Sequence, residues 1–493
     1  MIWKIAKKEF LLNLLTFKFA VGTILSIVLV CVFVPILAMA YQERLKVYSE
    51  NVAYNERELG KVTVYKNITP TVYKPPSVLA IFSEGLEKQL GNSATIEYDE
   101  VPEISGSAAN HYLSIFSIFD ASLIFKIVIS VLALLVAYDA ISGERERGTL
   151  RLTLSNTAAR HQVLLGKLLA GLMVLVVPVT SAFILGLVIL LCFPMVHLTG
   201  SDWIRIGFMF ITSLVFIATM YNLGLLFSCL ARRSAISLVL GLFLWIIFAV
   251  VIPNGGAYLA TQVVPIEPED KINEQISSLR REAGRETARE RQRSGRNYMS
   301  GNSVRSDASG GGFGHGYVRS GSEAFIYNQQ IDYSMGVPVQ IKYADKYAQV
   351  EDGYLRGLFE QARLANNISR ASPISLYENV MSALAGTDMA SVRKFMDAVK
   401  VYRKDTIEYM RSRTDNFTSL SFFTPYKEEE KGPNRPTGDT ASPLDLSDLP
   451  RFTYNADITA SLRRVIPDLA FLVFGSVLFF ALAFVAFLRY DVR

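Results

Sequence analysis

The chain has 493 residues, 51% hydrophobic and 19% charged, with a formal net charge of +5 and a mean hydropathy of +0.27. The charged share falls below the roughly 25% usual for soluble domains, and the apolar excess is gathered into runs near twenty residues, which excludes a soluble globular protein. The modest positive charge reflects lysines and arginines beside those runs and does not point to nucleic acid.

Residues 2–18 mix apolar side chains with Lys4, Lys7, Lys8 and Lys18. That pattern predicts an amphipathic helix at the membrane surface, its ammonium groups near anionic lipid headgroups. A cleaved signal peptide is the competing reading. The following apolar run, Phe19–Ala40, is too long for that, and no small-residue cleavage site precedes Tyr41. Phe19–Ala40 is the first predicted span, with Pro35 as a kink point. Residues 41–117 are polar and mixed. Within them Lys61–Tyr65 and Ala94–Tyr98 have strand character, and Pro75, Pro76, Gly91 and Pro102 punctuate the region. This segment is small for a domain and is expected to pack on the other extramembrane segment.

The second span is predicted over 118–138 and contains Asp120 and Lys126. Charge inside a span is a functional-site hypothesis. The plainer reading is that Lys126 snorkels or pairs with Asp120. A charged loop, 139–167, comes next. The third span is predicted over 168–193 with Pro178 inside, the fourth over 206–230 and the fifth over 235–252. Residues 253–465 form a large second extramembrane segment. Its stretch 270–293 reads as a charged helix that can continue from the fifth span. Residues 294–322 read as a Gly/Ser-rich flexible linker. Apolar and aromatic positions at helical spacing return over 341–370, two helices broken near Gly386 fit 375–414, and 424–450 reads as loop. The sixth span is predicted over 466–488, with a tail at 489–493.

The predicted fold is an all-α polytopic membrane protein with six transmembrane helices and an N-terminal interfacial helix. Its mainly helical extracytoplasmic domain takes a few strands from the first outer loop. Lys4, Lys7, Lys8, Lys18, Arg145, Arg147, Arg151, Arg160, Lys167, Arg232, Arg233, Arg489 and Arg493 all fall on the side of the termini, against Arg205 alone in the opposite short loop. The positive-inside rule therefore puts both termini in the cytoplasm. Arg463 and Arg464 argue the other way, but they flank a long translocated segment, where the rule weakens.

Cys31, Cys192 and Cys229 lie in apolar runs and form no disulfide framework. No Gly-x-x-x-x-Gly-Lys-Ser/Thr loop, His-Glu-x-x-His or Gly-x-Ser-x-Gly occurs. His111, His161, His197 and His315 are scattered. No enzyme active site, bound cofactor or metal site is expected on this chain. The strongest pattern is Gly143, Glu144, Arg145, Glu146, Arg147, Gly148, Thr149 and Leu150, running on through Arg151, Leu152 and Leu154 to Ser155. Gly143 can end the second span's helix, and Gly148 allows a second bend. Thr149–Ser155 can then form a short helix with an apolar and a basic aspect, fit to sit in a groove of a soluble partner and push on the spans. A solvated loop that only enforces orientation is the plain alternative.

Ala140–Asn156 followed by Gly166 and Lys167 resembles the signature of ABC-2 type transporter permeases. The branch with a large extracytoplasmic insertion before the last span is the nearest in pattern. Tyr73–Leu86 fits that branch, as do Ser372–Tyr377, Ala385–Asp388 and Phe395. The resemblance implies a permease half pairing with a second copy or a homologous permease in a bacterial inner membrane, in contact with membrane lipid. It also implies two separate ATP-binding subunits that carry ATP and Mg, docked on a coupling helix within Gly143–Ser155. Glu144 and Glu146 are then candidates for ion pairs to the ATPase, and Arg145, Arg147 and Arg151 for partner carboxylates or lipid phosphates. Leu150, Leu152 and Leu154 would supply packing. An exporter is the first functional reading, with an extracytoplasmic protein partner as a further expectation. An ATP-driven mechanical or assembly protein that moves no solute is the second reading, and a membrane-bound hydrolase a distant third.

Overall fold

The computed structural model describes residues 2–85, 91–105, 121–150, 159–293, 323–425, 442–454 and 458–489. Helix α1 spans Ile2–Leu14 and stops where Thr16 takes over. The Thr16 hydroxyl donates to the Asn13 carbonyl at 2.7 Å and accepts from the Phe19 amide at 3.3 Å, capping α2 (Phe17–Leu59). α2 runs unbroken through Pro35 for 43 residues, so it reaches about 65 Å at 1.5 Å per residue. It therefore projects well past a hydrocarbon layer of about 30 Å. Its charged last third supports the first extramembrane segment instead of ending at Ala40.

The second span is irregular. A π-helical stretch, Ile124–Ile129, leads into α3 (Ser130–Ala137), and a tight turn leads on to α4 (Ser142–Glu146). α5 is Arg160–Leu191 and α6 is Gly200–Leu230, opened by a Thr199/Asp202 capping box. α7 (Ser234–Ile246) passes through a second π-helical stretch, Ile247–Val251, into α8 (Ile252–Val263). The fifth membrane-crossing helix thus outruns the predicted 235–252. α9 (Glu269–Arg293) is a separate helix, because Pro265 and Pro268 in the intervening turn remove amide donors. The remaining helices are α10 (Glu323–Ser369), α11 (Pro373–Ala385), α12 (Met389–Arg413) and α13 (Ile458–Leu488). The predicted break near Gly386 is real: Gly386 takes φ +73° and ends α11, a left-handed position that suits glycine. The linker 294–322 lies outside the described residues.

Among the described residues, six helical stretches are long and apolar enough to cross a membrane. α6 is the most enclosed of them and packs against α3, α5, α7, α11 and α13. α2, α7 and α13 leave most of their apolar side chains exposed or half-buried, as lipid or a second transmembrane surface requires. α1 lies along α5, with Ala6 buried while Trp3, Leu11 and Leu12 face outward.

The two extramembrane segments form one body. Strands β1 (Thr71–Tyr73), β2 (Ser93–Thr95) and β3 (Ile104–Ser105) pair antiparallel in that order, with Thr71 opposite Thr95 and Ser93 opposite Ser105. Val72, Ala94 and Ile96 pack on Phe395, Val399 and Tyr402 of α12. The buried Arg403 guanidinium donates to the Glu97 and Tyr98 carbonyls and pairs with Asp345. Of the two predicted strands, Ala94–Tyr98 overlaps β2, but Lys61–Tyr65 is a turn entering a 3-10 helix, Tyr65–Asn67. Its alternation of apolar residues has no strand to pair with, and the Val62 carbonyl accepts from the Leu444 amide instead.

Candidate functional site

The 139–150 stretch is wired into the bundle by charge and hydroxyl groups. At its start Asp139 accepts from Lys18 at 2.7 Å, and the Lys18 ammonium also sits 4.2 Å from the Tyr138 ring centroid. The amides of Ile141 and Ser142 both donate to the Ser228 hydroxyl of α6, at 2.9 and 3.0 Å. The Arg145 guanidinium donates to the Ala231 carbonyl at 3.1 Å, just past the end of α6. Glu146 accepts from the amide and hydroxyl of Ser234, the first residue of α7. A carboxylate there satisfies an orphan amide and favours the helix dipole.

Lys167 of α5 is the centre of this arrangement. Its side chain is 3% exposed, and its ammonium lies 2.9 Å from Glu144 and 3.1 Å from Glu9 of α1. Two carboxylates on different elements therefore share one buried cation. Breaking such a group by removing the cation leaves like charges facing each other out of water. The Tyr221 hydroxyl donates to the Lys167 carbonyl at 2.9 Å from α6. Its ring occupies the space of Gly171, where an added Cβ would fall 2.1 Å from Tyr221 Cζ. Glycine at 171 is what lets α5 and α6 approach so closely.

Gly143 sits inside α4 and does not end the span; the helix breaks earlier, over 138–141, where Ser228 supplies the acceptor. Gly148 does make a bend, at φ +75°. Glu144, Arg145 and Glu146 have the partners given above, while Arg147 and Thr149 are exposed. Thr149 donates to the Glu144 carbonyl at 3.3 Å, and Leu150 is buried against the span core. Arg151, Leu152, Leu154 and Ser155 lie outside the described residues. Lys126, in the π-helical stretch, pairs at 3.0 Å with Glu378 of α11. Asp120, its expected partner, lies outside the described residues.

The sequence predicts α11 as a helix but not where it is buried. α11 belongs to the large extramembrane segment, yet nearly its whole surface is buried among spans. Tyr377 stacks on Phe216 of α6 with centroids 4.5 Å apart, and its hydroxyl meets Ser213 at 3.1 Å. Ser372 caps α11 and also donates to the Phe248 carbonyl, at 2.6 Å, inside the second π-helical stretch. Trp245 of α7 donates to Ser130 of α3 at 2.9 Å, beside the first. The two π-helical stretches thus flank α11 from spans two and five. Such stretches are concentrated at functional places in helices. The sequence signal was present: Ser372-Pro373 is an N-cap followed by proline at the first helical position, ahead of an apolar run. Nothing local told where that run would be buried. Among the described residues no group of three His, Cys, Asp or Glu side chains is placed to hold a metal ion.

No curated protein matches the sequence. The family model described as ABC-2 family transporter protein matches residues 3–492, nearly the whole chain, including α1, all six membrane-crossing helices and the extramembrane body. The chain belongs to this family, and is a membrane permease subunit of an ABC transporter that works with an ATP-binding partner subunit.

Proposed function

We propose that the partner ATPase, in two copies, docks on Gly143–Ser155 and drives this permease as an exporter in a bacterial inner membrane. Both termini then lie in the cytoplasm and the extramembrane body outside it, with ATP and Mg held by the ATPase. The observation that carries the reading is the wiring of the second membrane-crossing helix. The stretch Ile124–Glu146, helical on either side of the turn at 138–141, holds Glu144 and Glu146 at one end and Lys126 at the other. A displacement of the docked loop is passed to α1, α5 and α7 by the Lys167 and Ser234 contacts. It is passed along α3 to α11 by the Lys126–Glu378 pair. Docking itself rests on the exposed side chains of Arg147 and Thr149 together with the leucine-bearing stretch that follows them, since Glu144 and Glu146 are already engaged within the chain.

The mechanical reading also has an observation in its favour. α11 closes the bundle from the extramembrane side, so a movement of the spans would necessarily move the outer body. Both readings require the same docking step. The test is Leu152→Asp, expected to abolish co-purification of the ATPase while the permease stays inserted and folded. Normal ATPase binding by that variant would rule out docking on this loop. In proteoliposomes, solute uptake with stimulated ATP hydrolysis separates the exporter from the mechanical device.

A further inference from the structure

We propose that the joint between the spans and the outer body contains a binding site for a phosphate-bearing anion. A cavity of about 200 Å3 lies there, lined among the described residues by Lys74, Arg205, Lys394 and Arg464, with Asp202 as the one described carboxylate on its wall. Four cations thus face one anion, and that anion is occupied: Asp202 accepts from the Thr199 amide and hydroxyl at 2.9 and 2.7 Å in the cap of α6. Arg464 is held by Asp388 at 3.2 Å.

Lys74 and Arg205 differ from the other two cations. Lys74 is 4% exposed and Arg205 is 5% exposed, and among the described residues neither the Lys74 ammonium nor the Arg205 Nε has a hydrogen-bond partner. Lys74 is fixed in place by its own amide, which donates to the Asn92 carbonyl at 2.7 Å, and by Pro75 and Pro76 behind it. Arg205 lies in the second turn of α6. A guanidinium cannot shed its proton, so burial without a counter-charge is costly. No described residue supplies that counter-charge, and an anion bound in the cavity would.

The backbone points the same way. Asp202 and Arg205 lie in the first two turns of α6, and Ser391 and Lys394 in the first two turns of α12. Two capped helix N-termini therefore turn their positive ends to the cavity. The C-terminal end of α11 also borders it, but its Ala385 carbonyl is taken by the Ser77 hydroxyl at 2.7 Å. A planar guanidinium beside an ammonium suits a group with several anionic oxygens, which favours phosphate. The site lies near the starts of the membrane-crossing helices α6 and α13, so a lipid phosphodiester and free phosphate are both candidate sources.

The site does not depend on where the ATPase docks, and the test uses the full chain purified in detergent and stripped of lipid. Thermal unfolding is followed during titration with sodium phosphate, against sodium chloride at equal ionic strength. A parallel titration uses short-chain phosphatidylglycerol, against a neutral short-chain glycolipid. Wild type is expected to be stabilised in a saturable way by a phosphate-bearing ligand. Arg205→Met and Lys74→Met should each raise the half-saturating concentration by at least about tenfold, and Arg205→Lys should recover part of the loss. Each Met variant removes an uncompensated buried charge, so unliganded stability should hold or rise. A response to phosphatidylglycerol alone assigns the site to a headgroup, and a response to both assigns it to phosphate itself. The proposal is overturned if neither ligand stabilises wild type beyond its control, or if both Met variants keep the wild-type half-saturation.

Discussion

The two ends of the second membrane-crossing helix are built from different chemistry. At the Glu144 end, contacts are ionic and hydroxyl-mediated: Lys167 with two carboxylates, Ser228 under two amides, Glu146 on the first turn of α7. At the Lys126 end, α11 is seated by apolar and aromatic burial, with Tyr377 stacked on Phe216 and only a few hydroxyl bonds for register. Directional contacts hold a geometry, because an ion pair out of water is costly to separate. Apolar contacts are non-directional and permit sliding at smaller cost. The loop end is thus suited to move as a unit, and the α11 end is suited to reseat.

That contrast can be broken hardest at Lys167. Lys167→Met should leave Glu9 and Glu144 without their cation and cost about 3–5 kcal/mol, read as a loss of thermal stability of the purified protein. Restoring Glu9→Gln and Glu144→Gln on that background should recover much of the loss. A single Lys167→Met variant as stable as wild type would show that the group does not hold the loop. Tyr377→Ala should cost a comparable ~3–5 kcal/mol as a buried aromatic truncation, whereas Tyr377→Phe, which removes the hydroxyl and with it the Ser213 contact, should cost about 1 kcal/mol. Equal losses for those two variants would mean that α11 is held by its hydroxyl and not by burial. Gly171→Ala should cost about 1–3 kcal/mol, because its Cβ meets Tyr221 and α5 must move off α6.

The smallest effect is expected in the outer body. Glu286 of α9 is held below its ordinary value of 4.5 by hydrogen bonds from Lys342 and then Tyr343 of α10. Burial, followed by that hydrogen bond, pushes the Tyr343 phenol up to about 12. A carboxyl depressed in the folded state contributes above its unfolded value and loses that contribution as pH falls through its lowered folded value. Hydrogen exchange in α9 should therefore be flat from pH 5 to 8 once corrected for intrinsic rates, and loosen only below about 4. Glu286→Gln should remove the acid dependence.

The six membrane-crossing helices, α1, the α11–α12 break and the charged loop were legible because each is carried by local composition or by one glycine. What stayed hidden was long-range partner choice. Asp120 is close to Lys126 in sequence and was the natural partner, yet the ammonium reaches Glu378, 252 positions away. Lys61–Tyr65 alternates like a strand but does not join the three-stranded sheet, its Val62 carbonyl accepting from the Leu444 amide instead. Lys167 read as one more positive residue near a helix end, because neither Glu9 nor Glu144 announces that its carboxylate will converge on α5. α11 read as one of two helices over 375–414, since burial of a hydrophobic face says nothing about which surface buries it.

The most direct test of coupling along Ile124–Glu146 is hydrogen–deuterium exchange of α11 in the assembled complex with its ATPase. Exchange over 373–385 would be compared between the nucleotide-free state and a state trapped with ATP. Coupling through α3 predicts a changed exchange rate in α11 on trapping, and loss of that change in Lys126→Met with the ATPase still bound. Identical exchange in the two nucleotide states, with the ATPase demonstrably bound and loaded, would contradict it.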